Sequence, residues 1–132
     1  LDPGNPPGYY VLLHLWLNAF GSSVESGRAF SGFFGTLCIP ATWLLARAAG
    51  QSTAVAILAA LLVAVSPPLI YLSREVRVYT LFTLMITLAA AAAEGIVHDR
   101  ARTPAGKAAL WIAFTICGAT FSYLHYYSFL IL

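Results

Sequence analysis

Charge is what this sequence has least of. Seven Lys and Arg and five Asp and Glu make up 9% of its 132 residues, while 60% are hydrophobic and the mean hydropathy is +0.80. A soluble domain carries roughly a quarter charged residues, so this composition excludes a water-facing globule and implies a chain solvated mostly by lipid. Cysteine is almost as scarce. Cys38 and Cys117 both fall inside apolar runs, which gives neither a disulfide framework nor a metal spacing and leaves them as small packing groups. The chain also lacks a phosphate-cradling glycine loop, a Ser-His-Asp order, a basic patch for nucleic acid and any His, Cys and carboxylate spacing for zinc. No cofactor is predicted, and the need for a divalent metal is left open.

What the sequence does have is long uncharged runs. Crossing about 30 Å of hydrocarbon takes roughly 20 helical residues. Four runs qualify: Ala29 to Ala46, Thr53 to Leu72, Val78 to Ala93 (extendable to Val97 past Glu94), and Ala108 to Leu132. The run Tyr9 to Phe20 contains His14 and Asn18 and is too short and polar to span. It reads as a helix at the membrane surface, with Tyr9, Tyr10 and Trp16 at headgroup level. The expected fold is therefore all-α, a polytopic transmembrane bundle of four spans over residues 28–132, preceded by an external loop and juxtamembrane helix over 1–27.

The helix boundaries carry their own signals. Ser22 to Glu25 fits a capping box ahead of the first span. Pro67 and Pro68 predict a stop or a kink, because proline lacks an N–H and disfavours helix in the preceding residue. The alanine run 89–93 reads as close helix packing. With Leu1 in place of Met, no basic leader, and "SFLIL" ending the last run without a cap, the sequence reads as a piece of a larger enzyme or transporter.

Loop parity puts Arg28, Arg74 and Arg77 on one side and Arg47, Arg100, Arg102 and Lys107 on the other. The positive-inside rule makes the second side cytoplasmic, by four basic residues to three.

The stretch "SPPLIYLSREVRVYTLF" holds Arg74, Glu75 and Arg77 between two apolar runs. If residues 71–79 begin the third span, Arg74 and Arg77 lie three apart on one helix face, one turn after Tyr71. Two like charges there repel unless an anion sits between them, and guanidinium groups suit phosphate oxygens. Glu75 points elsewhere, where Arg28, Arg74 of a neighbouring turn or a catalytic group is its partner. The competing reading is a set of boundary charges reaching the headgroups. On the same side, "DPGNPPGYY" forms a rigid turn and "YLHYY" sets His125 among tyrosines, either as an aromatic belt with an interfacial polar residue or as a proton-transfer group. His14 and His98 read as bystanders.

Taken in order, "NPPGYYVLLHLWLNAFG", Arg28, "SPPLIYLSREVRVYTL" and "LHYYSFL" resemble the N-terminal membrane region of polyprenyl-phosphate-dependent glycosyltransferases of the GT-C fold. The nearest branch is that of protein mannosyltransferases and lipid A aminoarabinose transferases. The resemblance covers nearly the whole chain. It implies that Asn5, Pro6 and Pro7 shape an external loop near the active site. It also implies that Arg28, Arg74 and Arg77 bind the donor phosphate, that Glu75 and Tyr79 support the cavity, and that His125 and Tyr126 stand at the outer end of a later span. Asn5 stands where many members have His or Lys, and Gly8 where Leu is usual. The family's catalytic carboxylate lies in the first external loop, upstream of this motif; Asp2 is the nearest carboxylate in this sequence.

The function this resemblance implies is transfer of a sugar from a polyprenyl-phosphate carrier to an acceptor hydroxyl on the outer face of a cell membrane, with inversion. A non-enzymatic transporter or lipid-binding subunit is the alternative. A transporter should carry ionisable or helix-breaking residues near mid-membrane. Here the charges gather at span ends, with Pro40 the main exception.

Overall fold

The computed structural model describes residues 7–124, and every regular element within them is an α-helix. The order is α1 (Pro7–Phe20), α2 (Val24–Ala48), α3 (Thr53–Ala64), α4 (Pro67–Arg74), α5 (Tyr79–Val97) and α6 (Pro104–Leu124). Three of them, α2, α5 and α6, are long and apolar enough to cross a membrane, and the bent pair α3–α4 makes a fourth if counted as one span.

The short helix α1 ends at Gly21, whose φ of 95° lets its N–H bond back to the Leu17 carbonyl. That turn folds α1 over the start of α2. Tyr9 is 4% exposed and packs with Phe30, Val78 and Leu81, while Trp16 stacks on Phe20 and Phe30 and donates its indole N–H to the Ser26 carbonyl at 3.0 Å. The Gly21 turn thus brings the Tyr9 ring wholly, and the Trp16 ring partly, onto α2 and α5.

The N-cap of α2 is Ser23, one residue later than the expected Ser22; its hydroxyl accepts from the Ser26 N–H at 3.1 Å. Pro40 is accommodated within this 25-residue helix. At the far end Gly50, with φ 82°, closes α2: its own N–H reaches the Arg47 carbonyl and that of Gln51 reaches Ala46. Asp99, with φ 46°, closes α5 in the same way, with the Arg100 N–H on the Gly95 carbonyl.

The apolar run Thr53 to Leu72 is broken where the proline pair predicts a stop or a kink. Proline at 67 and 68 leaves the preceding turn without amide donors, so α3 stops at Ala64 and α4 restarts on Pro67, bent by 51°. The pair nevertheless travels the length of α2. It starts beside Gly50, and the loop after α4 returns to Gly27, whose added Cβ would lie 3.2 Å from both methyls of Val76.

Helix α2 is the centre of the bundle. Its Cys38 and Ala41 are buried against Leu84 of α5, and the Cys38 thiol lies 3.7 Å from the Thr80 carbonyl. Between helices in lipid, packing rather than burial from water drives association, so small residues mark the close contacts. Gly95 of α5 meets Leu110 of α6 in this way. The outward faces are apolar: Trp111, Ile112 and Ile116 of α6 are each more than half exposed, as lipid-facing side chains are.

Candidate functional site

One face of α2 is shaped to receive the chain around Arg74. Gly27 touches Val76, Gly32 would place a Cβ 3.8 Å from the Ser73 carbonyl, and at Gly35 a Cβ would overlap the Ser73 hydroxyl. Ser73 in turn donates to the Leu69 carbonyl at 2.7 Å, within α4. The end of α4 thus lies on a strip of α2 from which side chains are missing.

Arg74 is the last residue of α4. Glu75 is extended (φ −91°, ψ 136°), the Arg77 N–H bonds to the Glu75 carbonyl at 2.9 Å, and α5 begins only at Tyr79. The arginines therefore do not share a helix face as the spacing suggested. The helix ends because Glu75 leaves helical backbone geometry, and the residues between α4 and α5 form a tight turn. Arg74 and Arg77 are both exposed at this end of the bundle, and Glu75 is half-buried. Arg28 is also exposed, one residue beyond the Gly27–Val76 contact. Arg28 thus follows directly on the α2 residue that touches the loop carrying Arg74 and Arg77. Tyr79 packs against the Tyr9, Phe30, Val78 and Leu81 cluster. Asp2, Asn5, His125 and Tyr126 lie outside the described residues.

Arg74 stands at a groove of about 320 Å³ between α2 and the α3–α4 bend. Gly32, Gly35 and Thr36 line it from α2, Ser73 adds a hydroxyl, and Ile39, Val63 and Leu69 make the remainder apolar. A groove with an apolar interior and a guanidinium beside it matches a molecule with a hydrocarbon tail and an anionic head. The spacing of Gly32, Gly35, Thr36 and Ile39 is that of one helix face, so these lining residues had a signal in the sequence that went unread.

A second cavity, about 410 Å³, lies between Gly8 and Leu12 of α1 and Ala119, Thr120 and Tyr123 of α6. A Cβ on Gly8 would come within 2.8 Å of the Tyr123 ring, so the ring packs directly on the Gly8 backbone. Among the described residues the buried hydroxyls of Tyr9, Ser31 and Thr80 have no hydrogen-bond partner. Burial pushes the Tyr9 phenol above its ordinary range. Among the described residues no three His, Cys, Asp or Glu side chains gather to hold a metal ion.

Helices long and apolar enough to cross a membrane, three of them or four if the bent pair counts as one, define a multi-pass helical membrane protein. The sequence pattern of dolichyl-phosphate-mannose-protein mannosyltransferases matches residues 9–128, and the chain belongs to that family of membrane glycosyltransferases. No curated protein and no solved structure matches it.

Proposed function

We propose that the protein moves a sugar from a polyprenyl-phosphate carrier to an acceptor hydroxyl on the outer face of a membrane, inverting the anomeric carbon. The observation that carries this reading is Arg74 beside an apolar groove, at the same end of the bundle as Arg28 and Arg77. Prenyl carbons lie among Ile39, Val63 and Leu69, and the guanidinium of Arg74 meets the phosphate. In the reaction the acceptor oxygen forms its bond to the anomeric carbon as the bond from that carbon to the phosphate oxygen breaks. The acceptor proton passes to a carboxylate, for which Asp2 is the candidate in this sequence. Polyprenyl phosphate departs with an added negative charge, which Arg74 and Arg77 stabilise, with Arg28 beside them.

In this reading residues 28–132 supply the membrane-spanning helices and 1–27 the outer surface. Glu75, Asn5, His125 and Tyr126 support the site. The excess of basic residues at Arg47, Arg100, Arg102 and Lys107 supports placing that end in the cytoplasm.

The test is release of free polyprenyl phosphate from a radiolabelled polyprenyl-phosphate mannose by membranes containing the intact protein. Release that depends on added acceptor and yields the inverted glycoside is the expected result. Hydrolysis or transfer with retained configuration would contradict it.

A further inference from the structure

At the end of the bundle away from Arg74, a third cavity, a groove of about 460 Å³, runs between α2, α5 and α6. Leu44, Leu88, Ala92 and Ala113 line its length, and Arg47 and Arg100 stand at its end. From Arg28 to Arg47 along α2 is about 28 Å at 1.5 Å per residue, so the two arginine ends are a bilayer thickness apart.

The arginine end is built by the two helix caps. Gly50 closes α2 with a positive φ, and the space its missing side chain leaves is filled by the Arg100 guanidinium, whose Nη2 would lie 2.5 Å from a Cβ placed there. Arg100 reaches across from the α5 cap, and its Nε donates to the Ala48 carbonyl of α2 at 3.2 Å. Arg47 donates one N–H to the Gln51 carbonyl at 2.6 Å. Each guanidinium has five N–H donors, so most remain for a ligand. The nearby carboxylates are already engaged: Glu94 with His98 at 3.1 Å and Asp99 with Lys107 at 2.8 Å. Among the described residues neither Arg47 nor Arg100 has a carboxylate within ion-pair distance.

We infer that this groove is a binding site for an anionic glycerophospholipid, with one acyl chain along Leu44, Leu88 and Ala113 and the headgroup phosphate on Arg47 and Arg100. Two uncompensated guanidiniums at the mouth of an apolar channel complement such a lipid in both charge and hydrophobicity. The site is separate from the donor groove and involves none of its residues.

The test is native mass spectrometry of the intact protein in detergent, supplied with phosphatidylglycerol and phosphatidylcholine of identical acyl chains. Retention of phosphatidylglycerol at least tenfold over phosphatidylcholine is expected, with the preference lost in an Arg47→Gln, Arg100→Gln variant and kept in Arg74→Gln. Equal retention of the two lipids by the wild type overturns the inference without reference to any variant. So does an anionic preference unchanged in the double variant, or displacement of the lipid by free glycerol phosphate, which would mean that the acyl chain contributes nothing. Loss of the preference in Arg74→Gln as well would place the lipid in the donor groove and also overturn it.

Discussion

Gly35 of α2 lies so close to Ser73 of α4 that a methyl group in place of its hydrogen would overlap the Ser73 hydroxyl. Arg74 follows directly, so the placement of this cation beside the groove depends on a side chain that is missing from another helix. Sequence, packing and site meet in that one contact.

Gly35→Ala should therefore push α4 away from α2. The expected destabilisation is about 1–3 kcal/mol, the range for inserting a methylene into a packed contact. In a transfer assay the KM for the lipid-linked sugar should rise. Gly118→Ala is the control, because a Cβ there meets nothing within 4 Å. Its thermal midpoint and KM should match the wild type; equal behaviour of the two variants would remove the positioning role of Gly35.

The 51° break between α3 and α4 rests on Pro67 and Pro68. Replacing both with Ala restores two amide donors and should let the pair straighten. Spin labels at the exposed positions Leu58 and Tyr71, on either side of the break, should move apart toward the roughly 20 Å of a continuous helix. An unchanged distance would show that packing against α2 sets the bend.

Tyr9 buries a hydroxyl that has no partner among the described residues, and burial holds its phenol above the ordinary value of 10.0. Tyr9→Phe should leave thermal stability unchanged or raise it, because it removes an unsatisfied polar group while keeping the ring contact with Phe30. The sign of the pH effect follows from linkage. A raised folded pKa means that the stability tied to the neutral phenol is complete below pH 10 and declines as pH rises through the folded value. Melting curves across that alkaline range should fall more steeply for the wild type than for the Phe variant. Parallel curves would assign the alkaline loss to other groups.

Much of this was legible in the residues. Hydropathy runs located α2, α5 and α6, although α6 begins at Pro104 rather than Ala108, and the extension of the third run past Glu94 to Val97 matches the end of α5. The proline pair marked the break after α3. The motifs around Arg28 and Arg74 indicated the family. What could not be read was geometry that depends on a neighbouring helix. The surface helix turned Tyr9 inward because Gly21 reverses the chain, and Arg74 and Arg77 parted because Glu75 leaves the helix. Spacing alone cannot distinguish a helix face from a turn when the same few residues fit both. The glycines of α2 were visible, but their purpose lay in Ser73 and Val76, far along the chain.

The central claim is that Arg74 holds the donor phosphate, and the most direct measurement is steady-state transfer by purified intact protein carrying Arg74→Ala, Arg74→Lys or Arg102→Ala, at equal amounts of folded protein. Losing a charge-assisted hydrogen bond costs about 1.5–3 kcal/mol, so kcat/KM for the lipid-linked sugar should fall roughly 10- to 150-fold in Arg74→Ala. Arg74→Lys should recover part of it, since an ammonium restores the charge without the bidentate fork. Arg102→Ala, at the far end of the bundle, should be indistinguishable from wild type. Equal kcat/KM for Arg74→Ala and Arg102→Ala would contradict the assignment of the groove beside Arg74 as the donor site.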